Sequence, residues 1–478
     1  MIQAKDEVVL AIEAAPKTLD PRYAVDAFGM RMTQQLLYET LIYPDINLKM
    51  VPGLAERWET PAPDVLRFFL KQGIQFNDGS ALTAEDVKSS FQTVMEPETG
   101  SPFQFLGTKI KAIRVIDSRT LEFQLTTPQS SILWDLLLPI FKASTDRKNF
   151  YGTGPFLLKE QTPNEIVFVP NPGYPDPVSY KKLVFKIIQD DNTRFLKIRK
   201  GEIDLAINTI PFAKVGFLQE SNWSNKYDVI ESPGLSYQYL GFNMNHPILK
   251  HKEVRQAIAH AINIDELIQF HQKGHSVRAN SLITPQNEFY IPDLPQYNYN
   301  PDKAKQLLDQ DFPIKNGTRF ALEYKTTTKR EAVTQARIIQ SQLKQVGIDI
   351  NIRSFEWGTF FTDIKSGNFE LFSLLWVGVA EPDFYYTLFH TSQIPPEGKN
   401  RGHFSLPRLD SLLEQGRREM DLEKRKKIYR EVQTILSEEL PYVSMWHNNN
   451  IALIDKKLHG FQLHPAGGYY SLRSLNWK

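Results

Sequence analysis

Two carboxylates stand two residues apart in the segment Glu381-Pro382-Asp383. A pair of carboxyl groups can supply the general acid and the base or nucleophile of glycoside hydrolysis. A spacing of two residues does not fix the distance between the carboxyl groups, and the proline favours a constrained turn. The motif therefore leaves catalysis open, but it favours a role in a loop or hinge.

His271 and His275 are four residues apart, a spacing that can present two imidazoles as metal ligands on one helix face. Gly274 stands between them, and a glycine at this place is typical of a helix end. A helix that ends there would not hold both rings on one face. We therefore predict no metal site at these histidines.

Other enzyme motifs are incomplete or missing. The segment Gly152-Thr153-Gly154-Pro155-Phe156 begins like a dinucleotide-binding loop, but it lacks the third glycine, and its proline removes a backbone N–H that would face a phosphate. The sequence has no P-loop, no H-E-x-x-H and no G-x-S-x-G motif. It also has no cysteine, which excludes thiolate nucleophiles, thiolate metal sites and disulfides. We predict a structural turn at residues 152–156, no catalytic residues and no cofactor.

Aromatic side chains are concentrated in one segment: Trp357, Phe360, Phe361, Phe369, Phe372, Trp376, Phe384, Tyr385, Tyr386 and Phe389. Most of them fit a hydrophobic core. Trp376 differs, because it ends an apolar stretch and precedes a glycine-containing turn closed by a proline. Aromatic groups at such strand ends are typical of a ligand crevice. We interpret Trp357, Trp376 and Tyr385 as candidate ligand contacts, with a purely structural role as the alternative.

The elements that must position these residues alternate between strands and helices. Period-2 patterns and short apolar runs predict strands at residues 8–12, 66–70, 110–115, 120–125, 183–188, 203–207, 319–324, 348–353 and 370–375. Helical spacing predicts helices after Thr83 and over residues 192–200, 254–262, 302–308, 334–346 and 419–436. This rhythm predicts an α/β fold with mixed sheets.

Length and charge restrict the function further. The chain has 478 residues, and a single hydrophobic core stops growing at about 250–300 residues, so at least two lobes are expected. The 56 basic and 55 acidic residues give a net charge of +1, which argues against a nucleic-acid binder. The basic run at residues 424–427 lies opposite an apolar stripe, so we interpret it as a solvated helix face.

The sequence shows no targeting signal, which leaves two interpretations of the cellular location open. No stretch reaches the roughly 18 consecutive apolar residues that a membrane helix needs. The segment from Met1 to Glu7 has no apolar core of a signal peptide. The chain is therefore either a cytoplasmic protein or the mature form of an exported one, and composition does not choose between them.

Short motifs in a fixed order run through nearly the whole chain. They are residues 18–21 (TLDP), 37–41 (LYETL), 52–59 (PGLAERWE), 73–79 (GIQFNDG), 82–87 (LTAEDV), 152–156 (GTGPF), 201–204 (GEID), 239–243 (YLGFN), 254–258 (VRQAI), 300–304 (NPDKA) and 441–443 (PYV). In this order they resemble the large solute-binding proteins of ABC importers, the oligopeptide-, dipeptide- and nickel-type family. Each motif alone is weak, whereas the ordered set is highly specific.

The resemblance implies a hinge-closing fold of two α/β lobes with mixed sheets, joined by two crossing segments near residues 241–247 and 444–451. On this basis lobe I comprises residues 1–43, 151–243 and 450–478. An inserted subdomain of lobe I comprises residues 44–150, and lobe II comprises residues 244–449.

The resemblance also implies a function in which no covalent bond is made or broken. The two lobes close around a peptide, a peptide-like compound or another small polar solute by hinge rotation, and the closed form delivers the solute to a membrane permease. The expected partners are the ligand and the ABC permease, with no nucleic acid, and a monomer is expected. The place of action is the periplasm or the cell surface. The alternative function is a carbohydrate- or peptide-hydrolysing enzyme that uses acidic residues in the cleft.

Ligand contacts are carried over from the family by position. They are Tyr23 and Phe28 after the first motif, Ser236 and Tyr237 before the Tyr-Leu-Gly-Phe-Asn motif, the segment around Trp376, and His447 near the second crossing. For His447, a hinge histidine with satisfied hydrogen bonds is the alternative interpretation.

One departure from the family concerns the ligand's charge. The family's peptide binders carry an aspartate shortly after the tryptophan that corresponds to Trp376, and it pairs with the peptide's α-ammonium. Here residues 377–380, which include the candidate contact Val379, contain no carboxylate. Either Glu381 or Asp383 replaces it, or the ligand presents no free amine at this point. We favour the second hypothesis, which implies a blocked or modified peptide, an oligosaccharide or an opine-like conjugate.

Overall fold

The structure is a computed structural model that describes residues 5–144, 149–219, 225–396 and 398–478. The chain forms two compact units, Met1–Ser232 with Asn450–Lys478, and Pro233–Asn449. The sequence expectation assigned residues 233–243 to the first lobe. In the structure, residues 236–242 pair along their whole length with residues 371–377 and therefore belong to the second unit. Residues 1–4, which bear on the expectation about a signal peptide, lie outside the described residues.

The strands follow each other in chain order as β1 (Glu7–Ile12), β2 (Ile42–Pro44), β3 (Met50–Pro52), β4 (Ala55–Ala62), β5 (Val65–Leu70), β6 (Ile110–Asp117), β7 (Thr120–Leu125), β8 (Lys142–Ala143), β9 (Phe150–Tyr151), β10 (Phe156–Gln161), β11 (Glu165–Pro170), β12 (Lys182–Ile187), β13 (Leu205–Ile207), β14 (Tyr227–Pro233), β15 (Ser236–Phe242), β16 (Ser276–Arg278), β17 (Phe320–Thr327), β18 (Ile348–Phe355), β19 (Leu371–Val377), β20 (Tyr442–Asp455), β21 (Leu458–His459) and β22 (Asn476–Trp477).

The helices are α1 (Ala27–Met32), α2 (Ala84–Met95), α3 (Leu106–Lys109), α4 (Ile132–Asp135), α5 (Asp191–Arg199), α6 (Phe212–Gln219), α7 (Lys252–Ala261), α8 (Ile264–Glu266), α9 (Pro301–Asp309), α10 (Arg330–Lys344), α11 (Trp357–Lys365), α12 (Phe384–Phe389), α13 (Pro407–Arg418) and α14 (Leu422–Glu439). Among the residues that the structure describes, none of these helices is long and apolar enough to cross a membrane. The sequence-based strands and helices all have counterparts in these elements, with ends that differ by a few residues.

The main sheet of the first unit is mixed. Its order is β10-β11-β12-β1-β13, followed by residues 452–454 of β20. β1 runs parallel to β12 and β13, and the other pairs are antiparallel. Val8 and Leu10 pack into one buried cluster and Val9 and Ala11 into another, because successive side chains of a strand point to opposite faces. Burial of both faces explains why this strand is apolar throughout.

A second sheet of the first unit lies within residues 44–150. It is antiparallel, with the order β4-β5-β7-β6. Helix α2 begins at Thr83, whose hydroxyl accepts from the Asp86 N–H while the Asp86 carboxylate accepts from the Thr83 N–H at 2.8 Å. The ring of Phe91 on this helix packs edge-on against Phe123 of β7 at a centroid distance of 4.9 Å. This sheet therefore packs into a separate core, to which Tyr38, Leu41 and Ile42 of the preceding segment also contribute.

The sheet of the second unit has β15 at its centre. β15 is antiparallel to β19 on one side and to residues 442–446 of β20 on the other, and β17 runs parallel to both β19 and β18. Val254, Ala257, Ile258 and Ala261 of α7 are fully buried, as their helical spacing predicts. Helices cover both faces of this sheet, since separate hydrophobic clusters lie on its two sides.

The basic run at residues 424–427 corrects one sequence interpretation. Lys424 and Lys427 are exposed, but Arg425 is buried and forms an ion pair with Glu381. Arg425 lies one helical turn before the buried Tyr429, on the apolar face of α14. The Glu381 carboxylate balances the charge of Arg425, so the guanidinium can be buried on the apolar face of the helix.

Candidate functional site

The start of β15, the end of β19 and a residue within β20 bring several candidate residues together in the second unit. In the register of β15 and β19, Ser236 lies opposite Val377 and Tyr237 opposite Trp376. The imidazole of His447 on β20 reaches the Ser236 carbonyl, with Nδ1 at 2.7 Å from the oxygen. The chain then turns at Gly378, which has a φ of +77° and donates its N–H to the Leu235 carbonyl at 2.7 Å. Strand pairing thus assembles Ser236, Tyr237, Trp376 and His447 at one edge of the sheet.

A series of stacked aromatic rings extends from this edge into the hydrophobic core of the second unit. Tyr239 lies parallel to Trp376, with ring centroids 6.2 Å apart, and to Tyr442 at 4.1 Å. Tyr237 stacks on Tyr239 at 5.9 Å, and its hydroxyl is 2.7 Å from the Ser444 hydroxyl. Burial raises the pKa of Tyr442 to about 12, so these phenols are neutral at physiological pH.

An arginine also packs against the Trp376 ring. The guanidinium carbon of Arg401 lies 4.6 Å from the Trp376 ring centroid and 5.0 Å from that of Phe361. Trp357 stacks on Phe361 at 5.2 Å. We call the resulting series the aromatic column; it consists of Trp357, Phe361, Arg401, Trp376, Tyr239 and Tyr442. Arg401 was not predicted from the sequence, because it lies in a loop after α12 where no periodic pattern points to it.

His447 is fully buried at the base of this edge. Its Nδ1 carries the proton that is donated to the Ser236 carbonyl, since a carbonyl oxygen can only accept. Burial lowers the pKa of His447 to about 4, so the ring is neutral at physiological pH. The ring centroid lies 5.8 Å from that of Tyr237. This geometry fits a histidine that orders the strand ends, and ligand contact by His447 stays a prediction.

The two carboxylates of the Glu381-Pro382-Asp383 turn each have an arginine partner. Glu381 is buried and pairs with Arg425, and its second carboxylate oxygen accepts the Asp383 N–H at 2.5 Å. Burial raises the pKa of Glu381, while the charge of Arg425 opposes that rise. Asp383 forms an ion pair with Arg417, with Oδ1 at 2.8 Å from Nε. Both carboxylates are thus engaged inside the second unit, which fits a structural turn.

The other predicted contacts lie in different environments. Val379 is fully buried and Tyr385 is nearly so, and both belong to the hydrophobic cluster behind β15 and β19. Trp357, at the start of α11, is 53% exposed. In the first unit, the Tyr23 hydroxyl donates to the Thr99 carbonyl at 2.8 Å, and Phe28 packs against the core beside α1.

A cavity with several polar side chains in its wall lies beside the column in the second unit. It has a volume of about 380 Å³ and is lined in part by Gln238, Gln335, Ser373 and Trp357. The Ser373 hydroxyl accepts from both glutamine amides, at 2.7 Å and 3.0 Å, and donates to the Tyr239 carbonyl at 2.7 Å. Sequence reasoning missed these polar residues, because they are scattered over three elements.

His271 and His275 do not share a helix face. His271 ends a π-helical turn at residues 267–271, and the chain then reverses through Lys273 and Gly274, which both have positive φ. Within residues 5–144, 149–219, 225–396 and 398–478, no cluster of three or more His, Asp or Glu side chains is placed to hold a metal ion.

Comparisons with known proteins give the family. A model of the bacterial extracellular solute-binding proteins, family 5, matches residues 49–395. The dipeptide-binding protein of Escherichia coli (strain K12) is 26% identical over 98% of this chain and 94% of its own length. The structure of HbpA2 from Haemophilus parasuis is 25% identical, with a TM-score of 0.87 over 99% of this chain and 100% of that one.

A further solved structure holds a peptide. The periplasmic binding protein DppA of Helicobacter pylori, in complex with the peptide STSA, is 26% identical, with a TM-score of 0.76 over 99% of this chain and 98% of that one. These matches confirm the two-lobed α/β fold and the family resemblance found in the sequence. The chain belongs to the bacterial extracellular solute-binding proteins, family 5.

Proposed function

We propose that this protein is the substrate-binding component of an ABC importer, that it captures a peptide or peptide-like solute, and that it delivers the solute unchanged to a membrane permease. The observation that carries this proposal is the similarity to a dipeptide-binding protein over 98% of the chain. The aromatic strand ends in the second unit supply apolar and polar surfaces of the kind that ligand sites use. Its site of action is outside the cytoplasmic membrane, as the family's description suggests.

The proposal excludes hydrolysis as the activity. Glu381 and Asp383, the carboxylates that a hydrolase was expected to use, are each engaged by an arginine. A general acid and base need carboxyl groups that reach the substrate. We therefore expect binding without product.

The charges near Trp376 bear on the class of solute. No carboxylate is present at residues 377–380, and the two that follow are neutralised. An ammonium group that lost its water here without a counter-charge would cost several kcal/mol. This supports a solute with no free amine at this point, such as a blocked or modified peptide, an oligosaccharide or an opine-like conjugate.

Calorimetry with matched ligands tests this proposal. A pool of tripeptides and the same pool after N-acetylation are titrated into the purified protein. We expect the acetylated pool to bind at least as tightly as the free one. A strong preference for the free amine would contradict the amine-free site, although it would leave the transport function intact.

Two further measurements test the function as a whole. Native mass spectrometry of the purified protein reveals any co-purified small molecule and the number of chains per particle, for which we expect one. Mass spectrometry of solutes after incubation with the protein reveals chemical change. We expect none, and turnover of a sugar or peptide would instead support the hydrolase.

A further inference from the structure

A hollow lined by lysines lies at one edge of the main sheet of the first unit. Strands β1, β12 and β13 run parallel and begin at this edge, and β20, which is antiparallel to β13, ends at it. The hollow has a volume of about 1270 Å³. Its wall contains seven lysines, so we call it the basic hollow: Lys5, Lys181, Lys182, Lys226, Lys456, Lys457 and Lys478. The predicted ligand contacts of this unit, Tyr23 and Phe28, follow the opposite end of β1.

The positive charge of the protein is concentrated at this edge. Four carboxylates share the wall with the seven lysines, which leaves an excess of three positive side chains, whereas the whole chain has a net charge of only +1. Two of these carboxylates, Asp204 and Asp455, are buried. Asp204 accepts from Lys5 Nζ at 2.5 Å and from the Val9 N–H at 2.8 Å. The exposed part of the wall is therefore mainly cationic.

Several of the lysines are available to an external partner. Among the residues that the structure describes, Lys182, Lys457 and Lys478 are exposed and form no ion pair. Lys181 pairs with Asp6 at 2.7 Å, but the two side chains are 77% and 63% exposed. Ion pairs that are exposed to water contribute little and are readily exchanged. The basic hollow therefore presents charges that an anionic partner can engage.

The donor chemistry of the hollow indicates what kind of anion it fits. Fixed recognition of one small anion uses arginine forks or the backbone N–H groups at a helix start. Among the described residues that line the hollow, none is an arginine. Lysines are point charges on flexible stems, which suit a surface that carries many anionic groups. Trp477 adds an indole beside Lys5, whose Nζ is 5.3 Å from the ring centroid, and indoles are enriched where proteins meet the interface of a membrane.

We propose that the basic hollow docks the first unit on the anionic phosphate head groups of a membrane surface. This interaction goes beyond the capture of a solute, and it would concentrate the protein beside the membrane to which the solute is delivered. Each lysine close to an anionic membrane strengthens the attraction, which decays within about 10 Å at 0.1 M salt. Docking and solute capture use separate surfaces, so they can be tested separately.

The test measures binding of the full chain to phosphatidylcholine vesicles with and without phosphatidylglycerol, by cosedimentation at low and at high salt. A triple variant, Lys182→Gln with Lys457→Gln and Lys478→Gln, removes three charges without breaking an ion pair of the described residues. A second triple variant replaces the same three lysines by arginine. Circular dichroism checks that both variants fold.

The matched control is Lys303→Gln with Lys424→Gln and Lys427→Gln. These three lysines of the second unit are also exposed and, within the described part of the chain, also form no ion pair. The control therefore changes the net charge by the same amount at a different place. Inorganic phosphate, added during thermal unfolding, is the probe for a site that holds a free anion.

We expect the unsubstituted protein to bind the vesicles that contain phosphatidylglycerol, to release them at high salt, and not to bind phosphatidylcholine alone. The glutamine triple variant of the hollow is expected to lose about 10- to 100-fold in its partition coefficient. The arginine variant keeps its binding, because the charge is retained. The control also keeps its binding, and inorganic phosphate leaves the unfolding temperature unchanged.

The contrary outcomes are distinct. Equal binding to both kinds of vesicle, or an equal loss in the hollow variant and the control, overturns membrane docking by the hollow. Stabilisation by inorganic phosphate without vesicle binding also overturns it and indicates a site for a small anion. Titration with the tripeptide pools is expected to give the same affinity for the glutamine variant as for the unsubstituted protein. A failure of docking therefore leaves the transport function intact, whereas loss of peptide binding in this variant would contradict separate surfaces.

Discussion

Arg425 and Glu381 connect helix α14 to the turn that follows Trp376, and both residues are buried. The sequence offered Glu381 for catalysis or for ligand contact and placed Arg425 on a solvated face. In the folded protein, these two charged side chains form an ion pair with each other. Buried ion pairs contribute little net stability over an apolar pair, but loss of one partner leaves an uncompensated charge.

We therefore expect Arg425→Met to lower the free energy of unfolding of the second unit by about 3–5 kcal/mol, because Glu381 is left buried and unpaired. Urea unfolding followed by tyrosine and tryptophan fluorescence measures this change. The matched control is Arg408→Met, which removes an exposed pair with Glu431 and is expected to cost about 0–1 kcal/mol. The double variant Glu381→Met with Arg425→Met is expected to recover most of the loss. An Arg425→Met variant as stable as the unsubstituted protein would contradict this account.

His447 makes stability depend on pH. Its pKa in the folded protein is about 4, compared with 6.5 for an unperturbed histidine, because burial disfavours the charged ring. Between these pH values the unfolded chain binds more protons than the folded one, so stability is complete above pH 6.5 and falls as the pH drops towards 4. The difference corresponds to about 3 kcal/mol.

Urea unfolding at several pH values between 4 and 7.5 measures the effect of His447. We expect His447→Gln to lose a large part of the pH dependence in this window. His459→Gln is the control, since it removes a histidine whose side chain is exposed. An unchanged slope in His447→Gln would mean that other groups cause the acid sensitivity.

At the scale of single elements, the start of α2 shows how local sequence sets structure. Thr83 and Asp86 satisfy each other's backbone N–H groups at the first turn. The helix thereby begins at the position that places Phe91 against Phe123 in the core of residues 44–150. The pair was visible in the sequence because the motif depends only on residues three apart.

We expect Thr83→Ala to lower the free energy of unfolding by about 1 kcal/mol, because the N–H of Asp86 loses its side-chain acceptor. Thermal or urea unfolding followed by circular dichroism measures this loss. The control is Gln92→Ala, an exposed position within the same helix, for which no loss is expected. Equal effects of the two substitutions would show that the cap contributes nothing specific.

At the scale of the whole molecule, the family resemblance implies that two lobes close around the solute. The hinge closure stays a prediction. A ligand shifts such an equilibrium only by the difference between its affinities for the closed and the open form. Closure is therefore observable as a ligand-dependent change in the overall dimensions of the protein in solution.

We expect the radius of gyration from small-angle X-ray scattering to decrease when a saturating solute is added. A profile that stays identical across a broad panel of saturating solutes would contradict closure.

The sequence by itself determined the elements and the family. Capping pairs, period-2 strands and the apolar face of α7 are local patterns, and the ordered motifs are short stretches of sequence spread over nearly the whole chain. Both kinds of pattern could therefore be recognised without knowledge of tertiary contacts. The place of Trp376 near the end of an apolar strand was predictable for the same reason.

Only the tertiary structure decided which side chains meet. The burial of His447 depends on Ser236, which is 211 residues away in the chain, and the partners of Glu381 and Arg401 come from other elements. Side-chain pairing of this kind follows from strand register and helix packing, which a local pattern does not encode. For that reason the sequence predicted a region for the candidate site, whereas the fold showed that the acidic turn in this region is neutralised and that a buried arginine stands in the aromatic column.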